Sequence, residues 1–384
     1  MGRRKTDKRR TKRFYDYSLL AVIIFICIFG LLIVYSSSSY SAQLKRGDSL
    51  YYCKRQGMIA AAGLVLMILV SKMDYHKYVK LTGLAYIAAI VMMILTNFTP
   101  LGIERNGQKR WLGITETLSF QPAEFVKIAV ILTLAALIDK IGRKIDTWRG
   151  LGLAVALTLP PFVLVGMKNL SSGIIIAGIA FLMCFVGSKK KGIYFLAALG
   201  VFLVAFLFVE YGEKLVELKI LQAYQLERIE VWKNPEAYPR SGGWQVLQGL
   251  YAIGSGGLFG RGLGESIQKL GFIPEAMNDM VFSIICEELG LFGALCVILL
   301  FLFMIWRFMV IANNAPDLLG ALIVVGIMSH IAVQVILNVA VVTNSIPNTG
   351  ISLPFISYGG TSVLFLMAEM GMALGVSNRI TMEH

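Results

Sequence analysis

The chain has 384 residues, of which 57% are hydrophobic and only 15% are charged. Because a soluble domain is about one-quarter charged, this composition excludes a soluble globular protein and indicates a polytopic membrane protein. The formal net charge of +13 is compatible with nucleic-acid binding, but the basic residues cluster at the ends of apolar segments, which argues against that class. The five cysteines form no CxxC pair, so neither a disulfide framework nor a zinc site is expected.

Ten apolar segments are long enough to cross, or nearly cross, a bilayer, which takes about 20 residues of helix. Their approximate limits are 17–35, 56–71, 79–97, 120–138, 151–167, 172–187, 192–211, 280–305, 318–343 and 354–376. We therefore predict an all-α membrane protein with about ten transmembrane helices. The even number places both termini on one side of the membrane.

The basic residues indicate which side that is. With the N-terminus inside, most Lys and Arg of the short loops lie on the cytoplasmic face, as the positive-inside rule requires. The prediction is then a basic cytoplasmic tail, seven spans, one large extracytoplasmic loop, three spans and a short cytoplasmic tail. These parts cover residues 1–16, 17–211, 212–279, 280–376 and 377–384.

The large loop between the seventh and eighth spans is the only stretch able to form a sizeable structure outside the membrane. Apolar residues at helical spacing predict helices over 215–231 and 244–253. A Gly-rich run follows at 254–264. It neither follows a strand nor opens a helix, which argues against a dinucleotide-binding loop.

Carboxylates at and beyond the end of this loop are the first candidates for chemistry. Asp279 stands where loop becomes membrane, with Glu275 four residues earlier. In this position a carboxylate can meet both water and a lipid-borne substrate. Glu287 and Glu288 lie inside the eighth apolar segment, and a carboxylate in a bilayer is costly unless it is functional or paired. We assign these two a supporting role.

A second candidate is the outer loop 106–114, which holds Lys109, Arg110 and Trp111. Two adjacent cations beside an interfacial aromatic suit a diphosphate headgroup, because Arg binds phosphate oxygens in a fork and Lys adds a point charge. The alternative is that these cations merely extend toward water beside an interfacial tryptophan.

The fourth span opens with Gln121, Glu124 and Lys127 at i, i+3 and i+6. Glu124 and Lys127 can form an ion pair, which lowers the cost of burying either one. A structural intramembrane pair is favoured slightly over direct catalysis.

Two further polar patterns lie in the last two spans. His330, Gln334 and Asn338 recur every four residues, which favours hydrogen-bonded helix packing. His330 has no cysteine or carboxylate near it in the sequence, which argues against a metal ligand. The prolines and glycines of 347–362 predict a broken helix that either lines a substrate cavity, with Ser357 and Tyr358 as contacts, or is a packing kink.

Together these stretches resemble the SEDS family of bacterial cell-wall proteins, which comprises FtsW, RodA and SpoVE. The matching pieces, in order, are 107–111, 121–124, 251–264, 274–276 with Asp279, 287–290 and 347–362. Pro274-Glu275-Ala276 and the basic tail are more similar to the FtsW and SpoVE branch. The sequence departs from the family at Ala123, at Met277-Asn278 and at Lys168-Asn169, where an acidic residue is usual.

The resemblance implies a glycosyltransferase that polymerises lipid II at the outer face of the bacterial cytoplasmic membrane. It implies that Asp279 is the general base and that undecaprenyl diphosphate leaves with inversion at the anomeric carbon. Lys109 and Arg110 would neutralise the diphosphate, with a divalent cation as a possible addition. The implied partners are a class B penicillin-binding protein and the division or sporulation machinery.

Two other classes of function stay open from sequence alone. Broken helices and buried carboxylates also suit a lipid II flippase. A non-catalytic scaffold could instead use loop 212–279 to recruit a transpeptidase.

Overall fold

The computed structural model describes residues 12–105, 108–113, 119–212, 223–240 and 242–382. Within these ranges, ten helices occupy the positions of the ten predicted spans. They are α1 (Tyr17–Arg46), α2 (Tyr51–Lys72), α4 (Thr82–Phe98), α5 (Pro122–Ile141), α6 (Trp148–Gly166), α7 (Leu170–Gly187), α8 (Lys191–Glu210), α11 (Val281–Asn313), α12 (Leu318–Val342) and α13 (Gly360–Ser377).

Eight of these helices are long and apolar enough to cross a membrane by themselves. The two exceptions are α4, which has 17 residues, and α5, which contains Glu124, Lys127, Asp139 and Lys140. The chain is therefore a multi-pass helical membrane protein, as the composition indicates. The number of ten crossings remains a prediction.

Short elements connect the long helices. The helical ones are α3 (Tyr75–Lys80), α9 (Ala223–Lys233), α10 (Gly243–Gly256) and two 3₁₀ turns at Gly142–Asp146 and Pro235–Ala237. The predicted helix over 244–253 corresponds to α10. The one predicted over 215–231 is seen from residue 223 onward as α9, and residues 213–222 lie outside the described ranges.

Short strands add a feature that the all-α prediction did not include. β1 (Lys12–Phe14) pairs antiparallel with β5 (Ile380–Met382), while β2 (Gly102–Arg105), β3 (Gln108–Gly113) and β4 (Ser119–Phe120) form a second small sheet. The first sheet thus pairs the strand that precedes α1 with the strand that follows α13. The start of α1 and the end of α13 therefore lie at the same end of the bundle, as an even number of crossings requires.

Beside that first sheet, a buried ion pair holds the start of α1 against α11. Asp16 caps α1 by accepting a hydrogen bond from the Leu19 backbone amide at 2.8 Å. The same carboxylate is 2.7 Å from Arg307 Nη2. A capping bond and an ion pair on one buried carboxylate reduce the cost of its burial.

Helix α12 forms the centre of the bundle and packs against α5, α7, α11 and α13. Over the most apolar 18 residues of each helix, 72% of the α12 residues are buried, compared with 6% for α8. An apolar helix that buries almost no side chain inside the protein presents its surface to lipid. Helix α8 is therefore peripheral.

Helix α11 is broken at Gly290, whereas the sequence predicted one uninterrupted span. Gly290 has φ 66° and ψ −168°, a conformation essentially restricted to glycine. The Gly-rich run fits into this break, where the Gly257 and Leu258 carbonyls accept from the Leu291 and Phe292 amides at 2.9 and 3.1 Å. Broken helices are tolerated in membranes when other groups satisfy the freed backbone, and this run supplies them.

Candidate active site

Asp279 lies immediately before α11, where segments from four parts of the chain meet. Its backbone carbonyl accepts a hydrogen bond from Asn338 Nδ2 of α12 at 2.9 Å. Its Oδ2 is 3.4 Å from Gln245 Nε2 of α10. A Cβ placed on Gly350 would lie 3.8 Å from the same oxygen. The carboxylate is thus held between α10, α12 and the segment that precedes α13.

The surroundings of Asp279 change its acidity. Burial raises the pKa of Asp279 to about 7, and the negative charge of Glu275 adds to this effect. The residue keeps a partly exposed surface although protein surrounds most of it. Its Oδ1 is itself buried and has no hydrogen-bond partner among the described residues. A carboxylate with a pKa near neutrality and one unused oxygen is suited to accept a proton.

Glu275 is exposed, and its negative charge acts on Asp279. Its backbone adopts φ 57°, an uncommon conformation for a non-glycine residue, and its side chain accepts a hydrogen bond from Asn278 Nδ2. This conformation brings Glu275 close enough to Asp279 to repel its charge. The position is compatible with the predicted substrate contact.

Residues 343–359, which we call the return segment, connect α12 to α13 without helix or strand. The predicted interruption of the helix is therefore present. Asn338 Nδ2 donates to the Ile351 carbonyl at 2.6 Å, and Gln334 Nε2 donates to the Ser352 carbonyl at 3.0 Å. Two side chains of α12 thus satisfy consecutive carbonyls of irregular backbone at membrane depth, which fixes the part of the segment next to Asp279.

The two predicted substrate contacts in the return segment differ in accessibility. Ser357 is buried, and its hydroxyl accepts a hydrogen bond from the Leu353 amide at 2.7 Å. This favours a structural role for Ser357 over the predicted substrate contact. Tyr358 is partly exposed, and its amide donates to the Met277 carbonyl at 2.8 Å. Tyr358 therefore remains beside the Asp279 loop.

A cation next to Tyr358 was not identified from the sequence. Arg55 lies close enough to Tyr358 for its positive charge to act on the Tyr358 hydroxyl, and the Tyr52 ring packs edge-on against Tyr358 with centroids 5.1 Å apart. Arg55 lies in the first part of α2, and the sequence analysis gave it no role beyond the charge balance of the short loops. Arg55 comes close to Tyr358 because α2 and the return segment meet in the folded chain.

The predicted diphosphate-binding residues lie on β3. Lys109, Arg110 and Trp111 are partly buried, while Asn106, Gly107 and Ile114 of the same loop lie outside the described residues. Arg110 Nε donates to the Lys168 carbonyl at 2.9 Å. The Ser171 hydroxyl, three residues after Lys168, donates to the Thr349 carbonyl of the return segment. The hairpin is thus connected to the surroundings of Asp279 through two intermediate segments.

The predicted pair in α5 is present. Lys127 Nζ lies 2.9 Å from Glu124 Oε1, and both side chains are buried. Gln121 departs from the expected helical face, because α5 begins at Pro122 and Gln121 is its N-cap residue with an extended backbone. The Gln121 backbone amide donates a hydrogen bond to the Thr361 hydroxyl at 3.4 Å.

Glu287 and Glu288, in the first half of α11, bind residues 266–269, which follow the Gly-rich run. Glu287 accepts hydrogen bonds from the Ser266 hydroxyl and the Ile267 amide at 2.5 and 3.1 Å. Glu288 is 2.8 Å from Lys269 Nζ and accepts from the Ser36 hydroxyl at 2.5 Å. Both glutamates are fully buried. These contacts are structural, because they join α11 to α1 and to residues 266–269.

A buried partner for His330 is the clearest feature that the sequence analysis missed. Glu369 of α13 lies 2.8 Å from His330 Nδ1, although 39 residues separate them. The absence of a carboxylate near His330 in the sequence was therefore misleading. In the described ranges, no group of three or more His, Cys, Asp and Glu has the arrangement of a metal site.

Comparison with known proteins agrees with this architecture. The family model described as a cell cycle protein, which covers FtsW, RodA and SpoVE, matches residues 17–381. Stage V sporulation protein E of Bacillus subtilis is 36% identical over 94% of this chain and 96% of its own length. The probable peptidoglycan glycosyltransferase FtsW of the same organism is 38% identical over 96% of this chain and 92% of its own.

A solved structure supports the same conclusion at the level of the fold. A chain from the structure described as "Structural coordination of polymerization and crosslinking by a peptidoglycan synthase complex" superimposes with a TM-score of 0.77 at 26% identity. The match covers 95% of this chain and 98% of that one. With the family model matching nearly the whole chain, this protein belongs to the FtsW, RodA and SpoVE family.

Proposed function

We propose that this chain is a peptidoglycan glycosyltransferase that polymerises lipid II at the outer face of the bacterial cytoplasmic membrane. The observation that carries the proposal is the position of Asp279, a carboxylate with a pKa near 7 and an unused oxygen, at the junction of the outer loop and α11. Relatives named as FtsW glycosyltransferases support the reaction class.

In the proposed reaction Asp279 accepts the proton of a sugar 4-hydroxyl. The alkoxide oxygen attacks the anomeric carbon of a second lipid-linked sugar, the new glycosidic bond forms, and the bond from that carbon to the diphosphate oxygen breaks. The electron pair leaves with undecaprenyl diphosphate, and the anomeric centre inverts. A base whose pKa is close to the working pH is the most effective for such a proton transfer.

The departing diphosphate needs positive charge around it. Lys109 and Arg110 on β3 are the residues proposed for this role, and Arg55 beside Tyr358 is a third cation at the same end of the bundle. Arg110 and Trp111 also contact neighbouring residues, so their side chains are already oriented by the fold.

A divalent cation, if bound with the substrate, would add positive charge to that of Lys109, Arg110 and Arg55 as the diphosphate departs. We then expect polymerisation to fall on chelation with EDTA and to return when Mg²⁺ is added back. Unchanged activity in EDTA would show that the positive side chains of the protein neutralise the diphosphate without a divalent cation.

The proposed partner is a class B penicillin-binding protein acting in division or sporulation. The support is the similarity to a chain from a peptidoglycan synthase complex that polymerises and crosslinks, and to a sporulation protein. Exposed apolar side chains on the loop before α11, among them Phe259 and Leu258, provide surface for such a contact.

The decisive experiment places the full-length chain with its transpeptidase partner in proteoliposomes containing lipid II. Glycan length and lipid II translocation are measured separately. We expect Asp279→Asn to abolish polymerisation, because the amide cannot accept the proton, while expression and partner binding persist. Polymerisation at the wild-type rate would exclude Asp279 as the base, and translocation without polymerisation would favour the flippase alternative.

A further inference from the structure

His330, Gln334 and Glu369 form a chain of hydrogen bonds in the centre of the bundle. His330 Nδ1 is 2.8 Å from Glu369 Oε2, and His330 Nε2 is 2.9 Å from Gln334 Oε1. All three side chains are buried, and Glu369 has no exposed surface. The same Gln334 donates to the Ser352 carbonyl of the return segment.

The donors and acceptors around Gln334 determine where the protons of these hydrogen bonds lie. Because Gln334 Nε2 donates to Ser352, Gln334 Oε1 must accept from His330 Nε2, which therefore carries a hydrogen. Lys127 Nζ lies 3.5 Å from the same oxygen and favours this orientation of the amide. A lone pair on His330 Nδ1 would repel the Glu369 carboxylate at 2.8 Å, so a proton lies between them.

The His330–Glu369 pair also restricts the orientation of the Gln334 amide. The His330–Glu369 pair is neutral as a whole and always presents an N–H to Gln334. If the amide turned over, its NH₂ group would face that N–H and the Lys127 ammonium, and the hydrogen bond to Ser352 would be lost. The pair therefore determines which way the amide points.

We propose that His330 and Glu369 are positioning residues that hold the return segment beside Asp279 by fixing the orientation of the Gln334 amide. Neither touches Asp279, and their effect passes through Gln334 and Ser352. The expected effect on turnover rests on the function proposed above, whereas the expected effect on the return segment does not.

The test variant is the double substitution His330→Phe with Glu369→Met. It removes both members of the pair, so no buried charge loses its partner, and Lys127 keeps Glu124 at 2.9 Å. We expect the full-length protein to remain folded in detergent and glycan synthesis to fall by about tenfold or more, since small misplacements of reacting groups cost this much. We also expect faster amide hydrogen exchange in residues 343–359.

Two further variants complete the design. Glu369→Gln can donate from its amide to His330 Nδ1 while the imidazole Nε2–H still faces Gln334, so we expect activity and exchange within about twofold of wild type, because the hydrogen-bond pattern is kept. Gln334→Met removes the contact directly. We expect it to reproduce the loss and to add little when combined with the double substitution.

The outcomes separate this inference from the proposed function. Wild-type exchange in 343–359 in the double variant and in Gln334→Met would overturn the positioning role. So would a loss in Glu369→Gln equal to that of the double variant, because charge would then matter rather than amide orientation. Should Asp279→Asn retain activity while exchange changes as expected, the catalytic proposal fails and the positioning role stands.

Discussion

At the scale of single residues, Asp279 shows how its neighbours change the chemistry of a carboxylate. Burial and the charge of Glu275 raise the pKa of Asp279 to about 7. The deprotonated form is the one that acts as a base. The rate of polymerisation should therefore rise with pH through the neutral region and fall below it.

Glu275→Gln should move this acid limb to lower pH. Removing the negative charge removes its repulsion of ionised Asp279, so the pKa of Asp279 falls and more base is present at pH 6. The measurement is the initial rate of glycan synthesis between pH 5 and pH 8, with saturating lipid II.

Glu265→Gln serves as the matched control, because Glu265 is exposed and does not contribute to the pKa of Asp279. Its profile should coincide with that of wild type. An unchanged acid limb in Glu275→Gln would show that another group controls it.

The sequence made Asp279 a candidate, because a carboxylate where loop becomes membrane can meet both water and a lipid-borne substrate, and because the family resemblance implies a base there. The sequence could not show its contacts with Gln245, Asn338 and Gly350, which come from three other elements. It also could not show that the Ser357 hydroxyl accepts a hydrogen bond from the Leu353 amide. Such facts depend on side-chain direction, which residue spacing along one segment does not determine.

At the scale of elements, the break in α11 explains the Gly-rich run. A Cβ on Gly290 would lie 2.4 Å from the Gly260 amide nitrogen, and one on Gly260 would lie 2.1 Å from the Glu288 carbonyl oxygen. These distances are shorter than any normal contact, so the two backbones can approach only because both residues are glycine.

Gly290→Ala should therefore destabilise the protein, by about 1–3 kcal/mol from backbone strain and more from the clash with Gly260. We expect a lower melting temperature in detergent and reduced glycan synthesis, since the break supports the loop that carries Asp279.

Gly254→Ala is the control for this substitution. Gly254 lies in α10, and nothing is within 4 Å of a Cβ placed there. It should leave the melting temperature unchanged or raise it slightly, because alanine favours helix. Equal stability of the two variants would contradict the proposed packing.

At the scale of the whole molecule, the start of α1 and the end of α13 lie at one end, and the Asp279 site is expected at the other. The pairing of β1 with β5 supports the first point. The distribution of basic residues predicts that the terminal end is cytoplasmic. The exposed residues Lys190 and Glu236 stand on opposite sides in this topology.

Cysteine labelling tests the predicted topology. In a background without the five native cysteines, Glu236→Cys should react with a membrane-impermeant maleimide in intact spheroplasts. Lys190→Cys should react only after permeabilisation. Labelling of both without permeabilisation would require a different number or direction of crossings.

Composition and apolar length by themselves determined that this chain is a multi-pass helical membrane protein, because a bilayer accepts few other solutions. Motif spacing added the family resemblance and the candidate Asp279. Only the tertiary structure revealed the Glu369 partner of His330, the Arg55 contact with Tyr358 and the insertion of the Gly-rich run into α11. These contacts join residues far apart in the chain, and the pattern within one segment carries no information about which distant segment will satisfy its polar groups.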